Sequence, residues 1–310
     1  MMYVRNNMKK TLILDSNNLL YRIFFMNRAR GTDVNTLLVF LRCVRSYVDM
    51  LDGVDDIIAV WDSRLCRGQP NFRREEVEAD YKGNRDNETL AEAHVLDDEI
   101  QAAIEALGGV NMFPYRMEAD DVIAWLTHQM TGNNITVVTV DQDMLQLINE
   151  NVDVYSPIKK VFINNDNFVD QTGVDKKNFL SYKCLLGDKS DNIPGLTRVG
   201  KKTALKMIEN GLEQELDGRP AEDRERYNLN YKLMDLSYGY KHHEGEVECY
   251  QEQFEKVGQS RLDKEEFKNI CLRNKCFAIT NKLDNWLSVF AGKITGANLV
   301  NLFSTLNNSK

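Results

Sequence analysis

The stretch Thr11-Leu12-Ile13-Leu14-Asp15-Ser16-Asn17-Asn18 reads as a short buried strand that stops abruptly on an acid followed by polar residues. The same junction recurs at Ile57-Ile58-Ala59-Val60-Trp61-Asp62 and again where the apolar run 135–140 meets Asp141 and Asp143. A further short strand is predicted over 110–113. Between these runs lie helical patterns. Leu37, Leu38, Leu41, Val44, Val48 and Leu51 recur at three- and four-residue spacing, and Ala119, Val122, Ile123, Leu126 and Met130 do the same. A long helix is expected over 88–107, the start of another over 144–148, and one more over 176–186. Segments 152–155 and 160–163, with Pro157 between them, suggest a strand pair. Strands alternating with helices indicate an α/β fold with a mainly parallel sheet flanked by helices. In such open sheets, functional groups gather beyond the carboxyl ends of the strands. One acid there could equally cap a helix; several at matching junctions suggest a shared purpose.

The acids concentrate further at Glu118-Ala119-Asp120-Asp121 and Asp141-Gln142-Asp143, five carboxylates within about 26 residues. Carboxylates this close resist ionising together unless a cation is shared among them. All-oxygen ligands favour a hard ion, magnesium or manganese, over zinc. Glu118 and Asp121 share a helix face, while Asp120 lies about 100° away.

The 310 residues are 43% hydrophobic and 28% charged, ordinary for a globular chain and against global disorder. Polar residues 1–10 read as a flexible leader without the apolar core of a secretory signal, and no apolar run reaches about 18 residues, so a cytoplasmic protein that spans no membrane is expected. Six cysteines show no C-x-x-C pair, and the four histidines complete no zinc pattern, so reduced thiols are expected. His242-His243 reads as solvated surface. The net charge of −8 by itself argues against nucleic acid, yet nine acids carry it, and the remainder sums to about +1.

Residues 63–87 break the α/β pattern. Arg64, Arg67, Arg73, Arg74, Lys82 and Arg85 are interleaved with Phe72 and Tyr81, as phosphate contact and base stacking would require. Glu75, Glu76, Glu78 and Asp80 dilute the patch, and a solvated face explains the charge as well. Further on, Gly187-Asp188-Lys189-Ser190-Asp191-Asn192-Ile193-Pro194-Gly195-Leu196-Thr197-Arg198-Val199-Gly200-Lys201-Lys202-Thr203 mimics a P-loop by glycine spacing. Lys202 stands where a P-loop needs Ser or Thr, and a helix precedes the run rather than a strand. Helix-hairpin-helix geometry fits better, with a second helix over about 203–209. Backbone N–H groups at its N-terminus, with Lys201 and Lys202, would bind a phosphate backbone without reading sequence. Asp188 and Asp191 can face the metal site from the same segment.

Taken in order, Asp15, Asp62, Phe72-Arg73, Tyr81-Lys82-Gly83-Asn84-Arg85, Glu118-Ala119-Asp120-Asp121, Asp141-Gln142-Asp143 and Gly187-Asp188-Lys189-Ser190-Asp191-Asn192-Ile193-Pro194-Gly195 resemble the 5′ nuclease (flap endonuclease) family, especially its short phage and bacterial members. The resemblance covers about residues 11–211. It implies a PIN-like, Rossmann-like α/β domain over 11–173 with a helical arch at 63–107. It also implies a helical domain over 174–310 carrying a helix-hairpin-helix at 178–211.

The resemblance further implies two Mg2+ ions, for which Mn2+ can substitute. Asp15, Asp62, Glu118 and Asp120, with Asp141 beside them, would hold one. Asp143, Asp188 and Asp191 would hold the other, with Asp120 or Asp121 between. Lys82 and Arg85 resemble arch residues that touch the scissile phosphate. Arg73, Tyr81, Gly195, Arg198, Gly200, Lys201 and Lys202 are the further expected DNA contacts. The chain departs from the family at Arg198, where the hairpin commonly has a second glycine. That departure bears on the turn and on a K+ site formed by hairpin carbonyls.

The implied substrate is duplex DNA with a 5′ flap, a nick or an RNA primer, cleaved during replication by a monomeric enzyme. A phage-encoded member would work in the host cytoplasm. Single-strand binding protein or a sliding clamp are the protein partners the family suggests. Leu299-Val300-Asn301-Leu302-Phe303 is faintly similar to clamp-binding peptides, although an ordinary helix end explains it equally. The competing readings are a PIN-type ribonuclease and a catalytically inactive DNA-junction-binding protein.

Overall fold

The computed structural model describes residues 8–29, 31, 34–62, 71–73, 81–82 and 92–293. Most of the expected arch, Arg85, Cys66, the first seven residues and the 299–303 peptide lie outside them. Strand β1 (Lys9–Asp15) runs straight into α1 (Ser16–Ala29), followed by α2 (Thr36–Met50) and β2 (Asp56–Val60). Further along come α3 (Asp97–Ala106), within the expected arch, then β3 (Val110–Met112), α4 (Ala119–Gln129) and β4 (Asn133–Val138). The strands β5 (Val152–Ser156) and β6 (Val161–Ile163) complete a sheet of order β3-β2-β1-β4-β5-β6. All pairings are parallel except β5 with β6.

β1 is central, and its Leu12, Ile13 and Leu14 are wholly buried, as a parallel strand covered on both faces requires. Its register sets Asp15 beside Val60 and Leu14 beside Val138. The ends of β1, β2 and β4 therefore open on one edge. Lys9 and Lys10, expected in a flexible leader, are instead strand residues paired with Asn133 and Asn134.

Local signals explain the flanking helices. Asn35 caps α2 by accepting from the Leu38 N–H at 3.0 Å, and Leu37, Phe40, Leu41, Val44 and Val48 form its buried stripe. Glu118 caps α4 in a capping box closed by Asp121. The helix expected over 88–107 is described only as a 3-10 turn, His94–Leu96, and α3. The helix expected from Met144 is a 3-10 segment, Asp143–Leu147, which leads directly into the next strand.

Beyond the sheet come α5 (Phe168–Thr172) and α6 (Phe179–Leu186), then a two-strand crossing of β7 (Gly187–Asp188) and β8 (Ile193–Pro194). The longer α7 (Lys201–Asp217) and α8 (Ala221–Met234) close a small core of Leu185, Ile193, Leu196, Ala204, Met207 and Leu233. α7 starts earlier and runs further than expected, with a break at Gly211, where φ is +105°.

The last third does not stay in a helical domain of its own. α9 (Tyr238–His242) and α10 (Glu244–Phe254) cross the sheet's second face, where Trp125 meets Tyr250 and Phe254 edge-on at 5.0 and 5.1 Å. α11 (Lys264–Arg273), α12 (Phe277–Thr280) and α13 (Leu283–Leu287) return to the first face. There Phe267, Ile270, Trp286 and Phe290 join Leu12, Leu14, Phe40 and Val44 in one core. The Asp263 N–H donates to the Ala106 carbonyl at 2.7 Å, and Gly108 (φ +81°) allows the backbone of Arg261 to approach. The C-terminal helices, expected in a helical domain over 174–310, thus pack against both faces of the sheet. Among the described residues no helix is long and apolar enough to cross a membrane.

Candidate active site and metal centre

Three strand ends and one helix start build the site. Asp15 ends β1, Asp62 lies two residues past β2, Asp141 and Asp143 follow β4, and Glu118 and Asp120 open α4. Asp15 is only 4% exposed and accepts a hydrogen bond from Thr139 Oγ1 at 2.6 Å. The same hydroxyl accepts from the Asp141 N–H at 2.9 Å, so Thr139 ties two acids together. Asp141 in turn accepts from the Asp143 N–H at 2.8 Å. Asn17 Oδ1 accepts from the Asp62 N–H at 2.6 Å, and Asp62 accepts from the Ala119 N–H at 3.1 Å.

Residues 81 and 82, within the expected arch, meet this edge. Lys82 Nζ donates to Glu118 Oε1 at 2.8 Å, and Asn71 reaches the same oxygen at 3.0 Å. The Lys82 N–H donates to the Asp191 carbonyl at 2.9 Å, and its ammonium stands 3.8 Å from the Asp191 carboxylate. Lys82 adopts φ +55°, an uncommon conformation for a side-chain-bearing residue and one that concentrates at functional sites.

From the other side comes the hairpin module. Gly187 and Gly195 cross so closely that a Cβ on Gly187 would lie 2.3 Å from the Gly195 nitrogen, which fixes where Asp188 stands. Lys183 on α6 contacts Asp143 and donates to Asp188 Oδ2 at 3.0 Å. Asp188 also accepts from the Ser190 N–H at 2.8 Å.

The electrostatics are those of crowded, desolvated acids. Burial, opposed by the Thr139 hydrogen bond and reinforced by Asp141 and Asp62, raises the Asp15 carboxyl to about 7. Burial and the neighbouring Asp141 push Asp120 well above the usual carboxylate range. Burial outweighs Lys183 at Asp143 and lifts it to about 6. Glu118 goes the other way: burial opposes ionisation, but Lys82 and Arg73 hold it at about 2.

Among the described residues no three of these acids already stand close enough to surround an ion; ammonium groups span the gaps. The donor set still fits a hard divalent cation. It is all oxygen, and burial together with mutual repulsion among Asp15, Asp120, Asp141 and Asp143 disfavours their ionised forms, which such a cation would stabilise.

Four expectations need correction. Asp121 is fully buried, and both its oxygens are taken by Arg73 at 2.6 Å, so it does not face the other acids. Arg73, expected on DNA, is 1% exposed and also donates to the Leu233 carbonyl at 3.0 Å. Tyr81, expected to stack on a base, is buried in the hairpin core and donates its hydroxyl to Glu118 at 2.9 Å. His243, expected on the surface, packs 4.3 Å from the Phe72 ring.

Arg198, Lys201 and Lys202 are exposed on the hairpin, and Gly200 forms the N-cap of α7. Arg198 takes φ +60°, the left-handed conformation that glycine would adopt more cheaply. Sequence reasoning missed Lys183, Thr139 and Asn17 as working parts. Lys183 offered a signal, a lone cation beside the apolar run Cys184-Leu185-Leu186.

Residues 10–177 match the model of the 5′-3′ exonuclease N-terminal resolvase-like domain. A 5′-3′ exonuclease of Aquifex aeolicus is 30% identical over 245 residues, covering 74% of this chain and 82% of that protein. DNA polymerase I of Lactococcus lactis is 31% identical over 219 residues, but the chain spans only 24% of its length. Among solved structures, the bacteriophage T5 flap endonuclease in a pseudo-enzyme-product complex with DNA and metal ions aligns with a TM-score of 0.64 at 18% identity. That alignment covers 80% of this chain and 99% of the T5 chain, and it bears on the fold.

Proposed function

We propose, from the premise that this chain belongs to the 5′-3′ exonuclease family, that it is a structure-selective 5′ nuclease acting on duplex DNA with a 5′ flap, a nick or an RNA primer. The chain is a nuclease, a phosphodiester hydrolase. The observation that carries the finer reading is the gathering of acids on one sheet edge, with Asp15 buried and Asp120 and Asp143 half-buried there, and these three held above the usual carboxylate range.

Asp15, Asp62, Glu118, Asp120 and Asp141 would hold one Mg2+ ion, and Asp143, Asp188 and Asp191 a second, with Mn2+ as a substitute. When bound, such ions supply an activated water and a stabilised leaving oxygen. The protein's part is placement and charge. Thr139 fixes Asp15 and the Asp141 backbone; Asn71 and Tyr81 orient Glu118. Lys82 sits on Glu118, one side-chain swing from a phosphate, where its ammonium would offset the charge that develops as the phosphorus–oxygen bond breaks. Arg85 would assist from the arch. On the hairpin, Arg198, Lys201, Lys202 and the N–H groups opening α7 would grip the duplex backbone and so set which phosphate arrives. Primer removal and flap cleavage in replication are the roles this chemistry suits.

The test compares 5′-labelled flap, nicked duplex and RNA hairpin substrates with Mg2+ and with EDTA. Cleavage of the flap and nicked DNA only with Mg2+ supports the proposal. Preference for the RNA hairpin would favour a PIN-type ribonuclease, and no cleavage would leave a junction-binding protein. Lys82→Ala should lower turnover more than duplex affinity; the reverse would make Lys82 a grip residue.

A further inference from the structure

Lys183 has a position that gripping DNA does not explain. Its ammonium contacts Asp143 and donates to Asp188 at 3.0 Å, bridging the two acids assigned to the second ion. The side chain is 13% exposed, as is Asp143, so this is no surface lysine meeting an acid by chance. Its neighbours fix it from both directions. Cys184 and Leu185 are wholly buried beside it, and the Gly187–Gly195 crossing sets Asp188 a turn further on.

Two carboxylates facing one space need positive charge if both are to stay ionised, and Lys183 supplies one unit of it. A divalent cation and an ammonium cannot occupy the same gap between the same oxygens. The lysine has somewhere to go. It lines a cleft of about 410 Å³ together with Asp141, Gln142, Tyr182 and Lys201. A four-carbon stem lets the ammonium turn while its Cα stays in α6.

We propose that Lys183 is an exchangeable counter-ion of the second half-site, lodged between Asp143 and Asp188 until a divalent ion takes that place, then withdrawn into the cleft. This rests on reading the acids as a two-ion centre. Its consequence is linkage. A phosphodiester group in the cleft would accept the displaced ammonium, so backbone binding and loading of the second ion strengthen each other reciprocally. Lys82, on Glu118, stands in the corresponding place for the first half-site.

The experiment counts bound Mn2+ on the full, metal-stripped chain from the electron paramagnetic resonance signal of free Mn2+. Wild type, Lys183→Met and Lys183→Arg are compared without DNA. The expected result is two Mn2+ per wild-type chain. Lys183→Met should tighten the weaker site roughly tenfold and leave the stronger within about twofold, since it removes the competing charge; Lys183→Arg should stay near wild type. An unchanged or weaker second site in Lys183→Met overturns the proposal. Fewer than two Mn2+ in both wild type and Lys183→Met overturns the two-ion reading, and the proposal with it.

A second measurement needs no substitution. Acylation of Lys183 in the wild type, read by mass spectrometry, should rise with Mg2+ over the range of the second binding event. Acylation that is flat across that range overturns the exchange.

Discussion

Arg73 and Asp121 meet side-on in the interior, two guanidinium nitrogens on two carboxylate oxygens at 2.6 Å each, with neither side chain more than 1% exposed. Arg73 also holds the Leu233 carbonyl, and Phe72 next to it stacks on Tyr238 and packs against His243. One buried point therefore fastens the near end of the arch region to α4, which carries Glu118 and Asp120, and to α8 and α9. Gly239 belongs to the same joint: a Cβ there would lie 2.8 Å from Asp121 Oδ1.

Removing one partner of such a pair leaves an uncompensated charge. Arg73→Met or Asp121→Ala should each destabilise the fold by about 3–5 kcal/mol, while Arg73→Met with Asp121→Leu should cost less than the sum. Denaturant melts of the three variants measure this. Single-variant losses under about 1 kcal/mol would show that the joint is not a fastening.

Tyr81 joins the hairpin core to Glu118, so its ring and its hydroxyl can be separated. Tyr81→Phe keeps the packing and frees one Glu118 oxygen, at a stability cost of about 1 kcal/mol and with a lower cleavage rate at unchanged duplex affinity. A weaker affinity at an unchanged rate would return Tyr81 to the base-stacking role expected from sequence.

Arg198 in a left-handed conformation carries backbone strain for the sake of a charge on the hairpin. Arg198→Gly should raise stability by roughly 1 kcal/mol, after allowing for the greater freedom of glycine in the unfolded chain. It should also weaken duplex binding and lower the salt slope by about one phosphate contact. Thermal melts and salt-dependent binding read the two effects, and a destabilised variant would contradict the first.

The pH response of metal-stripped protein follows from Asp15. Its folded value of about 7 lies above its unfolded value of 3.8, so the folded state holds this proton more tightly. Stability should therefore rise as pH falls through about 7, levelling toward 3.8. Glu118 opposes this lower down. Its folded value of about 2 lies below its unfolded 4.5, so its contribution is lost as pH falls from 4.5 toward 2. Melting temperatures between pH 8 and 5 in EDTA should climb in the wild type and climb less in Asp15→Asn. Equal climbs would contradict the assignment.

The sheet was legible because its strands are continuous apolar runs stopped by acids, a pattern that the parallel fold imposes on each strand separately. The acids were legible for the same reason, since they sit at those stops. Asp121 was not, because its letter is the same as that of Asp120 and only the helix phase and the distant Arg73 decide which way it faces. Arg73 and Tyr81 read as exposed because charge and aromaticity between acids carry no local sign of burial. The return of α11–α13 to the first sheet face depends on partners such as Phe40 and Phe267, more than two hundred residues apart in sequence, which no periodicity records. The role of Lys183 became visible when Asp143 and Asp188 were brought to either side of it, since a cation beside an apolar run does not say which acids it meets.

The most direct measurement is single-turnover cleavage of a 5′-labelled flap duplex with Mg2+ by wild type, Asp141→Ala and Asp188→Ala, with duplex affinity measured in parallel. If these acids hold catalytic divalent ions, both variants lose cleavage while largely keeping the duplex. Wild-type turnover by either variant, or cleavage by the wild type in EDTA, would contradict the two-ion account.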